Sequence, residues 1–260
     1  MALILVTFLP TASFVNAAAF EFSATTQTNF DKLTAAADSA TAARLKQQYT
    51  DLLALQLKDQ SLDGELTKIK KSNDAADLLT RQRLKEIDTI NLNKLEQEVK
   101  AIREKYASLF QAYESLNKQL SVARSLKNKW LTTLLSTQAE SMKTAVQLAR
   151  LHIRSKDDAL QAAKVAKSKT VKQVRLTLAD IEPLETQIKA AKSTISTINK
   201  QFNTEGAIVK QAIKSKDAGR TLDGLTRMLS YLRQVTEQKQ KTVGYHQKIT
   251  AIIAKADKQF

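Results

Sequence analysis

From Thr28 onward, apolar residues recur at helical spacing along almost the whole chain. The clearest run is Leu92, Leu95, Val99, Ile102, Tyr106, Leu109, Tyr113, Leu116, Leu120 and Ala123. Its steps alternate three and four without a fault, a heptad seam on a helix about 50 Å long. A second seam runs Leu184, Ile188, Ala191, Ile195, Ile198, Phe202. A third runs Phe30, Leu33, Ala37, Ala40, then slips phase to Leu45, Tyr49, Leu52. No stretch alternates apolar and polar long enough for a strand, so the pattern predicts an all-α protein.

The punctuation between seams predicts where helices stop. Thr28-x-x-Asp31 offers a capping box for the first helix. Gln60–Gly64 reads as a turn, Ser72–Asp74 as a break or kink, and Asp88–Asn93 as the cap before the long heptad helix. Ser155–Asp158 reads as another break, and Asp180 as a cap placing Pro183 in a first turn, where its missing N–H costs nothing. Asn203–Gly206 and Ser215–Gly219 read as loops. These breaks imply seven or eight helices, joined by short connections into elongated antiparallel coiled-coil-like bundles. Ile153-Arg154-Ser155-Lys156-Asp157 returns as Ile213-Lys214-Ser215-Lys216-Asp217, sixty residues on. Both copies read as the end of one helix and the cap of the next, either as a true repeat or as recurring capping chemistry.

Composition narrows the class further. The 260 residues hold only 5 Gly and 2 Pro, too little punctuation for a turn-rich β architecture. There is no cysteine, which excludes disulfides, thiolate metal ligands and thiol nucleophiles. Residues 1–20 carry no charge. An apolar run to Leu9 meets Pro10 and then Val15-Asn16-Ala17, a signal-peptidase pattern with cleavage expected after Ala17. A basic leader before the run is missing, which suggests a start upstream of Met1. The competing readings are an uncleaved anchor, weakened by the polar interruptions, and a soluble terminus that only resembles a signal. The expected organisation is therefore a signal peptide at 1–17, a flexible lead-in at 18–27, and two helical halves at 28–125 and 126–260. A secreted protein without disulfides fits the exterior of a Gram-positive cell.

Charge separates those halves. Residues 18–125 hold 16 Lys and Arg against 15 Asp and Glu, whereas residues 126–260 hold 25 against 11. The densest stretch is 143–175. On a continuous helix at 100° per residue, Lys143, Arg150, Arg154, Lys164, Lys169, Lys172 and Arg175 fall within an arc of about 140°. Lys156 and Lys167 lie off it, and Val171, Val174 and Leu178 lie opposite. Such an arc is either a solubilising face or a surface for a polyanion. Nucleic acid is not expected, because no basic stripe interleaves with aromatics and no groove-reading motif is present. Outside a Gram-positive cell the candidate partners are anionic wall polymers and anionic lipid headgroups.

Catalytic chemistry finds no support in the residues. His152 and His246 are the only histidines and share no metal-ligand spacing, so both read as helix-surface or boundary residues, and no metal or cofactor is expected. There is no phosphate-cradling glycine loop and no nucleophile elbow. The carboxylate pairs Asp157/Asp158 and Glu182/Glu185 read as caps and first-turn residues. Trp130 opens an apolar run with Leu131, Leu134 and Leu135 and reads as a core or interface anchor.

The export signal, the helical Lys- and Ala-rich chain, and Lys-Ser-Lys-Asp at 214–217 before a helix bearing Leu222, Leu225 and Tyr231 resemble one family. They are similar to the N-terminal helical region of certain Gram-positive S-layer proteins. The resemblance implies triple-helical bundles that share long helices and dock on secondary cell-wall polymers. It carries over no binding residues. The β-rich modules that follow this region in such proteins are not in this chain, so a lattice of the same kind is not expected. Two other classes remain open: a component of an α-helical pore-forming toxin, and a protein-binding coiled-coil scaffold or chaperone. The first needs a hydrophobic tongue, for which Trp130–Leu135 is short. The second turns on whether the seam at 92–123 is buried within the chain or against a second copy.

Overall fold

The computed structural model describes residues 20–260, so the expected signal segment and its cleavage site lie outside the described residues. Six helices follow one another: α1 (Ala24–Ala36), α2 (Ser39–Glu86), α3 (Thr89–Ser125), α4 (Lys129–Ala179), α5 (Ile181–Lys214) and α6 (Ala218–Asp257). No strand occurs among the described residues. The chain is all-α, with fewer and longer helices than the seven or eight expected.

Four of the expected breaks are helix interior, for one shared reason: their polar residues are held by other helices. Within Gln60–Gly64, Leu62 is buried and Asp63 contacts Lys239 of α6. Within Ser72–Asp74, Asn73 donates to the His246 carbonyl at 2.8 Å and accepts from the Thr250 hydroxyl at 2.7 Å. Within Ser155–Asp158, Lys156 meets Glu98 and Asp157 receives both bonds of Arg103. Within Asn203–Gly206, Glu205 is buried against Arg227 at 2.7 Å. Gly206 earns its place in mid-helix, because a Cβ there would stand 2.8 Å from the Phe20 ring. Gly224 does the same on α6, where a Cβ would overlap the Val209 side chain of α5. The sixty-residue echo is therefore not a repeated turn, since 153–157 lie inside α4.

Three corners fall at expected breaks, at Asp88, Asp180 and Ser215–Asp217, and two do not, at Ala37-Asp38 and Leu126–Asn128. Thr28 lies inside α1; the cap is Ser23, whose hydroxyl accepts the Thr26 N–H at 3.2 Å. Between α1 and α2 the chain turns at Ala37-Asp38, and the Asp38 carboxylate accepts the Thr41 N–H. The seam expected through Ala37 and Ala40 is thus broken at this turn, and Ala40 is exposed at the start of α2. Asp180 separates α4 from α5 without making a side-chain cap bond. The α3–α4 and α5–α6 corners are the same motif. Asn128 N–H reaches Ala123 O and Lys127 N–H reaches Arg124 O; Asp217 N–H reaches Ala212 O and Lys216 N–H reaches Ile213 O. These are Schellman closures with a lysine in the left-handed position, each followed by an Asx cap, Asn128 on Leu131 and Asp217 on Arg220.

The helices form two compact units, each discontinuous in sequence. The first comprises residues 20–79 and 177–256, and brings together α1, most of α2, α5 and α6. Its main core joins Phe20, Phe30, Leu45, Leu52, Phe202, Val209, Leu225 and Met228. Phe20 and Phe22 are thus packed residues in the segment expected as a flexible lead-in; Phe22 stacks on Tyr49 at 4.1 Å. Further along, Lys239 is fully buried, its ammonium 2.7 Å from a carboxylate oxygen of Asp59 and 2.7 Å from one of Asp63. Burial pushes the Asp59 carboxyl above the usual range, opposed by Lys239. The second unit comprises residues 80–176 and 257–260, built on the α3–α4 hairpin. Every residue of the 92–123 seam is buried or half-buried there. Leu116, Leu120 and Ala123 pack on Leu135 and Ala139 of α4 within this chain.

Candidate functional site

Helix α4 is unbroken from Lys129 to Ala179, so the condition for the basic arc is met. Lys143, Arg150, Arg154, Lys164, Lys169, Lys172 and Arg175 are all exposed, and all lie in the second unit. Val174 and Leu178 lie away from them and are buried; Val171, expected opposite, is half-buried at the edge of the arc, one heptad from Lys164. The helix is held in this orientation by pairs from α3 flanking the seam. Lys156 binds Glu98 at 2.8 Å and holds its carboxyl below the ordinary range, and Arg103 grips Asp157 with both oxygens within 2.9 Å.

The arc cations are lightly engaged. Lys143 stands 3.3 Å from Glu140, Arg154 3.9 Å from Asp158, and Lys164 2.9 Å from Glu96 of α3. Exposed pairs of this kind are worth about 0–1 kcal/mol, so a competing anion can displace them. Arg150, Lys169, Lys172 and Arg175 have no ion-pair partner among the described residues.

Beside the arc, α3 and α4 leave an open groove of about 620 Å³. Phe110, Tyr113 and Ile153 form its apolar wall, and Arg150 and Arg154 stand at its edge. Its two carboxylates are already neutralised, Asp157 by Arg103 and Glu114 by Lys118 at 2.7 Å. The arginines therefore set the sign of the potential there. A smaller hollow of about 290 Å³ lies further along α4, against Val171, Lys172 and Arg175. The second unit as a whole carries 21 Lys and Arg against 10 Asp and Glu, and the first 20 against 16. Charge is concentrated in the unit that holds the arc.

Of the other residues singled out in the sequence, His152 is at the surface as expected, whereas Trp130 and His246 are placed differently. Trp130 is not a core anchor: it is 74% exposed, while Leu135 one turn on is buried. His152 is exposed, its Nδ1 3.2 Å from the Tyr106 hydroxyl. His246 is not on the surface but buried between helices of the first unit, and burial lowers its pKa, helped by Lys192 and Lys70. Among the described residues, no three His, Asp or Glu side chains are grouped to hold a metal ion. None of the described helices is long and apolar enough to cross a membrane. The buried Lys239 site has a signal in the sequence, two aspartates one turn apart at Asp59 and Asp63, but i,i+4 acids are equally common on solvated helix faces. No family model, characterised protein or solved structure matches the chain.

Proposed function

We propose that this is a non-catalytic, exported helical-bundle protein that associates with an anionic cell-wall polymer through the exposed face of α4. One observation carries the reading: seven cations share one side of a single rigid helix, and four of them have no carboxylate partner among the described residues. A solvated face needs charge but not this one-sidedness. A flexible chain bearing phosphate, pyruvate or uronate groups gains from cations fixed in a row, because each weak contact is made without ordering the protein further. The 143–175 segment presents that row over roughly 48 Å at the helical rise. The open groove beside Arg150 and Arg154 offers an apolar wall for the sugar faces of such a polymer.

The test is sedimentation of the whole protein with purified Gram-positive walls, intact or stripped of their anionic polymers. The reading expects binding to intact walls that falls steeply as salt rises from 50 to 500 mM, and little binding to stripped walls. Equal binding to both preparations, or binding indifferent to salt, would remove it.

A further inference from the structure

Helix α4 carries a second seam, and this one faces solvent. Six of its large apolar residues are exposed: Trp130, Leu134, Leu148, Leu151, Val165 and Leu176. Leu134, Leu148 and Leu176 are whole heptads apart, and so are Trp130, Leu151 and Val165. The two sets are offset by three and four residues, the spacing of coiled-coil positions a and d. Every exposed large hydrophobic of α4 falls on this one frame, and the register holds over more than six heptads. The inward face is built from different positions, among them Leu135, Val146, Ala149, Leu160 and Val174. Packing on the rest of the chain therefore does not explain the outer frame. Positions between the six are mostly uncharged, Thr137, Ser141, Thr144, Ser155 and Ala162, with charge only at Asp158, Lys169 and Lys172. By contrast α6 exposes no large hydrophobic residue, and α5 only Ile208.

We propose that this face docks an acidic amphipathic α-helix of a partner protein, laid along α4. The choice of occupant follows from charge. The flank of the seam toward the basic arc holds Lys143, Arg150, Arg154, Lys164 and Arg175 against Glu140 and Asp157. On the opposite flank Gln138, Ala145, His152, Ala159, Ala166 and Gln173 carry no formal charge, and the one cation further round, Lys156, is paired with Glu98. In an antiparallel pairing of two copies, the basic flanks would face each other. A flexible polyanion would meet the cations and leave the apolar frame wet. A helix with its own apolar seam and a carboxylate-rich flank answers both features. This inference goes beyond the polymer reading and does not depend on it.

The chain has a single tryptophan, and it sits at the start of the frame, so its fluorescence reports occupancy directly. The probe is a synthetic heptad peptide of about 35 residues with Leu and Ala in its seam and Glu on its flanks; its twin carries Lys on the flanks. The proposal expects a blue shift of Trp130 emission on titrating the Glu peptide into the whole protein, and none with the Lys peptide. A Leu148→Asn/Leu151→Asn variant should keep its helicity and its wall binding, because both residues are exposed and no arc cation is touched, yet bind the Glu peptide at least tenfold more weakly. Any one of four results would overturn the proposal: no shift with the Glu peptide, an equal shift with the Lys peptide, unchanged affinity in the double variant, or a blue shift of the protein alone that grows with its own concentration. The last would assign the face to a second copy.

Discussion

Lys127 and Lys216 hold φ of 54° and 56°, in the left-handed region where a Cβ crowds the following carbonyl. Both corners need that conformation to close the Schellman bonds, and neither has glycine. Lys127→Gly and Lys216→Gly should each raise stability by about 0.5–1 kcal/mol, the relief of strain exceeding the added freedom of the unfolded chain. Urea unfolding midpoints measure this, and a loss of stability in both variants would show the lysines to be engaged elsewhere. His246 gives a second residue-scale prediction. It is buried with neither ring nitrogen bonded, facing Lys70 and Asp74 of α2 and Lys192 of α5. Its folded pKa lies below the unfolded value near 6.5, so the unfolded chain takes up the proton first. The stability this group contributes is present above about pH 6.5 and is lost as pH falls below it. The drop in unfolding midpoint between pH 7 and pH 5 should therefore be smaller in His246→Leu than in the natural protein; an equal drop would place the acid sensitivity elsewhere.

At the scale of helices, what could be read in the sequence and what could not divide along one line. The seams at 92–123 and 184–202 were legible because an apolar residue every three or four positions has one interpretation. Breaks were legible only in part: those at Asp88, Asp180 and Ser215–Asp217 are helix ends, but Asp, Asn, Ser and Gly serve equally as caps and as cross-helix contacts. Asp63, Asn73, Asp157 and Gly206 are of the second kind, and only their partners Lys239, His246, Arg103 and Phe20, distant in sequence, decide it. The lysine corners at 127 and 216 lack the glycine that usually marks such a turn; the Asx cap after each is the remaining signal. The basic arc needed one fact beyond spacing, that α4 runs through Ser155–Asp158, and cross-helix contacts supply it. The outward heptad frame was within reach of spacing alone, but exposure separates it from the inward one. The buried Lys239 tests this view of polar residues as interhelical ties. Lys239→Met leaves Asp59 and Asp63 facing each other without a counter-charge and should cost about 3–5 kcal/mol. Adding Asp59→Asn and Asp63→Asn should recover more than half of that loss in denaturant unfolding. A single variant within about 1 kcal/mol of the natural protein would mean that water reaches the site.

Over the whole molecule, positive charge and most of the exposed large hydrophobics fall in the same unit; the other exposes only Leu57, Leu78, Leu79 and Ile208 among the described residues. The α3–α4 unit holds a twofold excess of cations, and Ile90, Val122, Leu126 and Trp130 are exposed there together with the outer frame of α4. The other unit is nearly balanced in charge and holds the large aromatic core. The proposed association with polymer puts the contact on α4, and the deciding measurement compares two variants of equal charge. One changes Arg150, Arg154, Lys164, Lys169, Lys172 and Arg175 to Gln; the other changes Lys32, Lys46, Lys58, Lys68, Lys71 and Arg44 to Gln. Both should keep their helicity, since Gln is a good helix former and exposed charges contribute little to stability. The account predicts that the α4 variant loses most of its affinity for anionic wall polymer, with a flattened salt dependence, while the other binds nearly as the natural protein does. Equal loss in both variants, or no loss in either, would contradict it.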